Sequence, residues 1–230
     1  MERYLIKFQK TNNIKFLSHL DTLRTLHRAF KRANLPLSYS KGFNPHPAIS
    51  VASPLSVGIE SYAEYADTEL NEFVDPTDLV NSLNQQLPDG FRITKALHIK
   101  EKAPAAMAAI YAAEYEMLFN DNIGEIKKVV EEIIKSNEIQ IMKRTKSGEK
   151  LVNIRPLIYN LEFVEENGQK FINALLQNSN QGSLNPDLLL EVIRQRIDKN
   201  IGHVKIIRKE MYANNNNRLI DFMSFFSMKS

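Results

Sequence analysis

The order of strand and helix patterns in the first half of the chain constrains the fold more than any other feature. Tyr4, Ile6 and Phe8 occupy every second position, the pattern of a strand with one apolar face. Ser18 follows at a position suited to cap a helix over 18–33. The later elements of this stretch are a strand at 48–52, a strand at 62–70, a helix opened by Asp75 and Pro76, and a strand at 91–99.

This order, β-α-β-β-α-β, is that of the ferredoxin-like fold. Its right-handed crossovers place both helices on one face of an antiparallel sheet and leave the other face open. The same order recurs after an alanine-rich segment, with an extra strand in its middle. We therefore predict an α+β protein of two tandem ferredoxin-like (βαββαβ) domains at 1–102 and 114–213, with a linker helix at 103–113 and an apolar tail at 214–230. The tail needs burial, either in this protein or in a partner.

The segment 38–58, which follows the first helix, contains two glycines and three prolines. Glycine adopts backbone angles that other residues resist and proline fixes φ, so this composition specifies one loop shape. We expect a rigid loop around the sequence GFNPHP. The side chains that it presents are Lys41, Phe43, Asn44 and His46.

The first predicted helix carries a basic stripe. Arg24, Arg28 and Arg32 recur at helical spacing together with Asp21, and Lys31 lies beside them. Asp21 and Arg24 also fit a local ion pair, which is worth a few tenths of a kcal/mol.

Charge is distributed unevenly along the chain. Residues 1–60 hold nine Lys and Arg against three Asp and Glu, residues 61–142 seven against fifteen, and residues 143–230 fourteen against nine. The net charge of +3 thus hides two basic blocks around an acidic one. If the basic blocks share a face, their field attracts a polyanion; the alternative is an ordinary solvated surface of mixed charge.

A second basic element is predicted at 142–155, inside the second domain. Ser147 and Gly148 give a turn signal between a strand at 138–144 and a strand at 151–165. A projecting basic hairpin suits a phosphate backbone, and it equally suits the protection of an exposed sheet edge. Its cations are Lys143, Arg144, Lys146, Lys150 and Arg155.

Several classes of chemistry have no support in the sequence. The chain has no cysteine and therefore no thiolate nucleophile or iron–sulfur cluster of its own. Its five histidines show no metal-ligand spacing, and nucleotide-binding and hydrolase motifs are absent, so we expect no metal and no cofactor. No window reaches the roughly 20 apolar residues of a membrane span. With no secretory signal pattern at the N-terminus, we expect no membrane partner and a cytoplasmic location.

Three histidines fit metal-independent chemistry. A neutral imidazole can take the proton of a ribose 2′-hydroxyl while a lysine stabilises the phosphorane. His19 and His46 are the candidate catalytic residues of such an endoribonuclease, with His27 on the same helix as His19. In the alternative interpretation these rings hold hydrogen bonds or loop shape. The sequence favours this alternative, and with it a binding protein over an enzyme.

RNA is the polyanion that these residues suit. Phe43 and Tyr39 are placed to stack on bases and Lys41 to hold a phosphate, as in single-strand binding proteins. Aromatic residues near loops also serve as lids on a core. The predicted RNA contacts are Arg24, Arg28, Arg32, Lys41, Phe43, Asn44 and His46, with Lys143, Arg144, Lys146 and Lys150 on the basic hairpin.

The segments FLSHLD at 16–21 and GFNPHP at 42–47 closely resemble the signature of the bacterial radical-SAM-linked protein family, a domain of unknown function. Its members are fused after, or encoded beside, a cobalamin-binding radical SAM protein, and this chain resembles the stand-alone form. The resemblance implies an accessory role with a radical SAM protein as partner. The predicted architecture also resembles RAMP proteins and CRISPR repeat-processing endoribonucleases, although only Gly182 and Gly202 stand where those enzymes have a glycine-rich loop.

These observations predict an RNA-binding accessory protein that acts as substrate adaptor for a radical SAM RNA-modification enzyme. Two alternatives stay open. One is a metal-independent endoribonuclease, and the other is a protein-interaction module that docks on the radical SAM partner through the apolar tail.

Overall fold

The computed structural model describes residues 1–100, 102–119, 125–145, 148–197 and 201–229. The strands are β1 (Glu2–Lys10), β2 (Ile49–Val51), β3 (Glu60–Leu70), β4 (Phe91–Ile99), β5 (Ile110–Phe119), β6 (Gln140–Thr145), β7 (Gly148–Asn153), β8 (Ile158–Glu166), β9 (Gln169–Ser179), β10 (Gly182–Ser183), β11 (Val204–Asn215) and β12 (Arg218–Asp221). The helices are α1 (His19–Arg32), α2 (Pro76–Asn84), α3 (Ala106–Ala109), α4 (Glu125–Lys135), α5 (Pro186–Gln195) and α6 (Phe222–Ser227).

The fold belongs to the mixed α+β class, as predicted, and the chain divides into two compact units. Unit 1 comprises Met1–Tyr111 together with Glu210–Ser230, and unit 2 comprises Ala112–Lys209. Unit 1 is therefore discontinuous in sequence. The segment predicted as a linker helix, 103–113, holds α3 and the start of β5. No helix in the described part of the chain is long and apolar enough to cross a membrane.

Unit 1 contains an antiparallel sheet in which β1 lies between β3 and β4. The short strand β2 pairs with β3, and β11 also neighbours β3. Tyr4 of β1 lies across from Thr68 of β3 and from His98 of β4. Because successive side chains of a strand point to opposite faces, this register sets which residues share a face across the three strands.

The helices α1 and α2 pack on one face of this sheet. Tyr4, Ile6 and Phe8 of β1 are fully buried in one apolar cluster with Leu26 and Phe30 of α1. Burial of side chains of this size contributes about 1.5–3 kcal/mol each. Further members of the cluster are Leu70, Leu79, Leu83 and Ile93.

The helix starts predicted in unit 1 are confirmed. Ser18 Oγ accepts a hydrogen bond from the Asp21 amide at 3.2 Å, and Asp75 Oδ1 accepts one from the Thr77 amide at 2.8 Å. Each side chain satisfies an amide that the first turn of its helix leaves without a partner. Pro76, which has no amide hydrogen, occupies the first turn of α2.

The opposite face of the unit 1 sheet is covered, so the prediction of an open face is wrong. Phe222 and Phe226 of α6 are fully buried, and the Phe222 ring centre lies 4.9 Å from that of Tyr65 on β3. The Arg3 guanidinium lies 5.9 Å from the centre of the Phe226 ring. The α6 part of the apolar tail is thus buried within unit 1, because the second face of the sheet also carries apolar surface that water would otherwise contact.

Glu210 joins the two sequence segments of unit 1 on this face. Its Oε1 accepts a hydrogen bond from the Tyr65 hydroxyl at 2.6 Å, and its Oε2 lies 2.5 Å from Lys7 Nζ. Burial raises the pKa of Tyr65, and the Glu210 carboxylate raises it further. Tyr65 therefore stays protonated and donates to Glu210.

Among the strands of unit 2, β9 lies between β10 and β5, and β8 also pairs with β9. β11 neighbours β5. Its helices α4 and α5 bury Ile126, Ile133 and Leu189, among other side chains. β6 and β7 form a separate two-stranded sheet, with Met142 across from Leu151.

The single strand predicted at 151–165 is wrong, because two strands occupy this range. β7 ends at Asn153 and β8 begins at Ile158, with one turn of 3-10 helix between them. Pro156 lies in this turn, where it has no amide to donate to a strand partner.

Arg155, predicted as a cation of the basic hairpin, instead has a structural role. Its guanidinium donates hydrogen bonds to the carbonyl oxygens of Ile134, Ser136 and Ile158 at 2.9, 3.0 and 3.0 Å. Two of these carbonyls lie at the end of α4, where the helix leaves them without partners. Arg155 therefore stabilises the end of α4.

Truncation of Phe226 to alanine tests the burial of α6. We expect the free energy of unfolding to fall by about 3–5 kcal/mol, because the change leaves a cavity in a packed interior. Urea denaturation followed by circular dichroism measures the loss. Phe43→Ala is the matched control, since that ring is fully exposed and its removal should change stability by about 0.5 kcal/mol or less. Equal stability of the two variants would show that α6 does not pack on the sheet.

Candidate functional site

A short hairpin follows α1, and its two arms are hydrogen-bonded to each other. The Ser40 amide donates to the His46 carbonyl at 2.8 Å, and the His46 amide donates to Ser40 Oγ at 2.9 Å. Tyr39 and Pro47 form a β-bridge one position further along. The arms leave residues 41–45 as the tip; we call residues 38–48 the tip hairpin.

The tip hairpin exposes its side chains to solvent. Gly42 has a φ of +132°, a backbone conformation that requires glycine. A Cβ at this position would meet nothing within 4 Å, so a lack of space is not the reason for glycine here. Phe43 is fully exposed, and Lys41 and Asn44 beside it are exposed as well. A large apolar ring held in water by a hydrogen-bonded turn is typical of a contact residue.

His27 of α1 connects the helix to the tip hairpin. Its Nε2 lies 2.9 Å from the Tyr39 hydroxyl, and the two rings meet edge to face with their centres 5.8 Å apart. This contact fixes the base of the hairpin against the helix. His27 therefore has the structural role that the alternative interpretation assigned to it.

Two neighbouring side chains bind the Asp21 carboxylate at the start of α1. Asp21 Oδ2 accepts a hydrogen bond from the Ser18 hydroxyl at 2.7 Å, and its Oδ1 accepts one from Arg24 at 3.0 Å. These two partners lower the pKa of the Asp21 carboxyl, the Ser18 hydroxyl first and Arg24 second. The predicted Asp21–Arg24 ion pair is confirmed. One charge of the basic stripe is thereby compensated.

Other cations of this region are uncompensated. Arg28, Lys31 and Lys41 are exposed and make no hydrogen bond or ion pair with any residue that the structure describes. Arg32 donates a hydrogen bond to the carbonyl of Gln86, and the guanidinium charge of Arg32 stays at the surface. Arg28 and Arg32 line a shallow groove of about 360 Å³. The free charges lie on α1 and on the hairpin that His27 connects to it.

A cleft of about 600 Å³ lies beside the tip hairpin in unit 1. The hairpin lines it with Tyr39, Lys41 and His46, and the neighbouring strands line it with Ser50 and Glu69. Other lining residues are Arg3, Pro47, Ala48, Ile49, Asp67 and Ala105.

Arg3 and Asp67 form a closed polar cluster at this cleft. Arg3 Nε and Nη2 donate to Asp67 Oδ1 at 3.0 and 2.7 Å, and the same guanidinium donates to the carbonyls of Ala103 and Pro104. Asp67 Oδ2 accepts from the Ala106 amide at 2.6 Å. Since each charge has partners, this cluster anchors the segment before α3 and contributes little net charge to the cleft.

The predicted contact residues fall into two groups. Unit 1 holds Arg24, Arg28, Arg32, Lys41, Phe43, Asn44 and His46, on α1 and the tip hairpin. Unit 2 holds the others. Lys143 and Arg144 lie in β6, where the structure describes only their backbone; Lys150 is exposed on β7, and Lys146 lies outside the described residues.

The two candidate catalytic histidines have different surroundings. His46 lines the cleft, whereas His19 is exposed at the first position of α1 and does not line it. His46 belongs to the tip hairpin by its backbone hydrogen bonds with Ser40. Among the described residues, no cluster of histidine and carboxylate side chains is arranged to hold a metal ion.

The sequence signal that pointed to this region was the Gly- and Pro-rich loop. The loop composition did not indicate the Arg3–Asp67 cluster, and it did not indicate that Ser50 and Glu69 line the cleft. Asp67 and Arg3 are 64 positions apart, and no local pattern reports a contact over that separation.

Residues 3–186 match the model of a protein family described as "Uncharacterized protein conserved in bacteria (DUF2344)". The chain belongs to this family. The match spans most of the sequence and includes α1, the tip hairpin and the strands that line the cleft. The comparison with curated proteins found no match.

Two solved structures are similar to this DUF2344 member. A Cbf5-Nop10-Gar1 complex contains a chain that is 14% identical, with 90% of the present chain and 48% of that chain covered and a TM-score of 0.48. The present chain thus spans about half the length of that one. An unknown protein from Galdieria sulphuraria is 12% identical, with 96% and 98% covered and a TM-score of 0.28.

A double-mutant cycle tests the contact between His27 and Tyr39. Tyr39→Phe removes the hydroxyl and should weaken protection of the Ser40 and His46 amides from hydrogen exchange by about 0.5–1.5 kcal/mol. His27→Ala should weaken the same amides similarly. Because both changes remove one interaction, the double variant should lose less than the sum of the two. Additive losses would mean that the two side chains do not interact.

Proposed function

We propose that the protein binds RNA through a surface formed by α1 and the tip hairpin. The observation that carries this proposal is the hydrogen bond between His27 and Tyr39, which joins a helix with unpaired cations to a hairpin with an exposed aromatic tip. Cations for phosphates and an aromatic ring for bases are the two components of single-strand recognition.

The charges of this surface suit a polyanion. Arg28, Lys31 and Lys41 make no hydrogen bond or ion pair within the described part of the chain, so their charges are available to phosphates at little desolvation cost. Arg24 and Arg32 keep one interaction each and still lie at the surface. Arginine also binds phosphate with two parallel hydrogen bonds, which fixes the position of the backbone.

Phe43 supplies the base contact. Its ring is fully exposed at the tip, and Gly42 lets the backbone turn sharply beside it. Stacking of one base on an aromatic side chain contributes about 1–3 kcal/mol and depends little on base identity. The proposed binding is therefore tolerant of sequence.

We propose further that the bound RNA is presented to a radical SAM RNA-modification enzyme. The support is the resemblance of the FLSHLD and GFNPHP segments to the radical-SAM-linked protein family. Both segments lie in unit 1, in or next to α1 and the tip hairpin. In this proposal one surface holds RNA while the enzyme contacts another part of the chain.

We also propose that the two units are tandem ferredoxin-like domains, which their strand orders support. In unit 1 the strand neighbours follow the order β4-β1-β3-β2, and in unit 2 they follow β11-β5-β9-β8. The two orders are equivalent when each unit is numbered from its first strand. On this proposal β6 and β7 are an insertion into the second unit, and residues 210–230 are an addition to the first.

Salt dependence of RNA binding tests the proposed surface. For a fluorescent single-stranded RNA of about 12 nucleotides, the logarithm of the binding constant should fall linearly with the logarithm of salt concentration. Arg28→Ala and Lys41→Ala should each weaken binding and reduce the slope by about one. Fluorescence anisotropy over a salt series gives both quantities.

Lys127→Ala is the matched control for this series, because Lys127 is an exposed cation on a helix of unit 2. Its affinity and slope should equal those of the unchanged protein. RNA binding that is absent, or that is insensitive to salt, would contradict the proposal. Equal effects of all three substitutions would show a diffuse charge effect and no defined surface.

Co-purification tests the adaptor role. When a cobalamin-binding radical SAM protein of the kind associated with the family that this chain resembles is expressed with it, we expect a complex that survives nuclease treatment and is unchanged by Arg28→Ala. RNA recovered with the enzyme should fall with the same variant, because the adaptor supplies the RNA. A complex that dissolves on nuclease treatment would mean that RNA merely tethers the two proteins.

A further inference from the structure

We propose that the cleft beside the tip hairpin is a subsite for one unpaired nucleotide, with its base inside the cleft and its phosphate at Lys41. This inference rests on the proposed RNA binding and adds to it a discriminating site. It would make the protein selective for single-stranded or locally unpaired RNA.

Tyr39 provides a prepared surface for the base. Its ring lines the cleft and is 45% exposed, while its hydroxyl is held 2.9 Å from His27 Nε2. A ring that is anchored at one end loses little conformational freedom when a base stacks on its face. Pro47, Ala48 and Ile49 add apolar lining next to it.

The polar groups of the cleft suit a nucleotide better than a simple anion. Arg3 and Asp67 are bonded to each other and to the backbone, so they leave Lys41 and Glu69 as the opposing exposed charges. A phosphate fits the ammonium of Lys41, and a carboxylate such as Glu69 accepts hydrogen bonds from the ring and amino N–H groups of a base. Ser50 adds a hydroxyl that both donates and accepts.

Size also fits this class of ligand. The cleft volume of about 600 Å³ lies within the range of roughly 300–1,000 Å³ found for small-molecule sites. A base inside a duplex is stacked and paired on both sides and cannot enter such a site, whereas an unpaired base can turn out of the strand.

The test compares single-stranded RNA of about 12 nucleotides with a blunt duplex of the same sequence, using anisotropy on the full chain. Ser50→Trp places a large ring in the cleft from an exposed strand position whose neighbour Val51 faces the core. Tyr39→Leu removes the stacking surface. Ser183→Trp on β10 is the matched control, since Ser183 is an exposed strand serine of unit 2.

We expect the unchanged protein to bind the single strand about tenfold more tightly than the duplex. Ser50→Trp should remove this preference by weakening single-strand binding about tenfold, with duplex binding and melting temperature retained. Tyr39→Leu, which also breaks the contact with His27, should weaken single-strand binding at least as much. Ser183→Trp should behave as the unchanged protein.

Three outcomes overturn the inference, and they distinguish its failure from failure of the function it rests on. Equal binding of single strand and duplex, with no effect of either cleft substitution, overturns the subsite and leaves RNA binding in place. Absence of binding to both RNAs overturns the two together. If Ser50→Trp weakens single-strand and duplex binding equally at an unchanged melting temperature, the cleft makes phosphate contacts. That result also overturns base recognition.

Discussion

The contacts of Glu210 with Tyr65 and Lys7 are the interaction on which unit 1 depends. A buried tyrosine hydroxyl needs a hydrogen-bond acceptor. For Tyr65 this acceptor is Glu210, which lies 145 positions later in the chain. The same carboxylate forms an ion pair with Lys7 on the neighbouring strand. An unpartnered Glu210 or Tyr65 at this place would cost on the order of 1–3 kcal/mol, so the pairing requires the C-terminal segment to lie on the sheet.

The second face of the sheet has a consequence for the site. With α1 and α2 on one face and α6 on the other, β1 and β3 are held rigidly, and the cleft is bounded by strands that cannot shift independently. The tip hairpin rises from this base and is joined to α1 by the side-chain contact of His27 with Tyr39. A rigid base with a projecting loop is the usual arrangement for recognition.

Local chemistry was predictable from the sequence, and distant pairing was not. Ser18 and Asp75 begin helices by bonding amides two or three residues away, so their roles are visible in short patterns. The roles of Arg155 and Glu210 depend on carbonyl or hydroxyl groups 19 to 145 positions away. The sequence therefore indicated the tip hairpin correctly as an exposed loop, yet left the cover of the second sheet face and the wall of the cleft unknown.

The discontinuity of unit 1 bears on how the chain folds during synthesis. About 120 residues are translated between the end of β4, the last of the strands β1, β3 and β4, and the start of α6, and this interval includes all of unit 2. Until then one face of their sheet lacks Phe222, Phe226 and Glu210, and its apolar surface is exposed to water and to other chains. Unit 2 is continuous in sequence, so its completion does not depend on a segment that is translated much later. Translation of unit 1 thus begins before that of unit 2 and ends after it, and the incomplete sheet of unit 1 is exposed to aggregation during that interval.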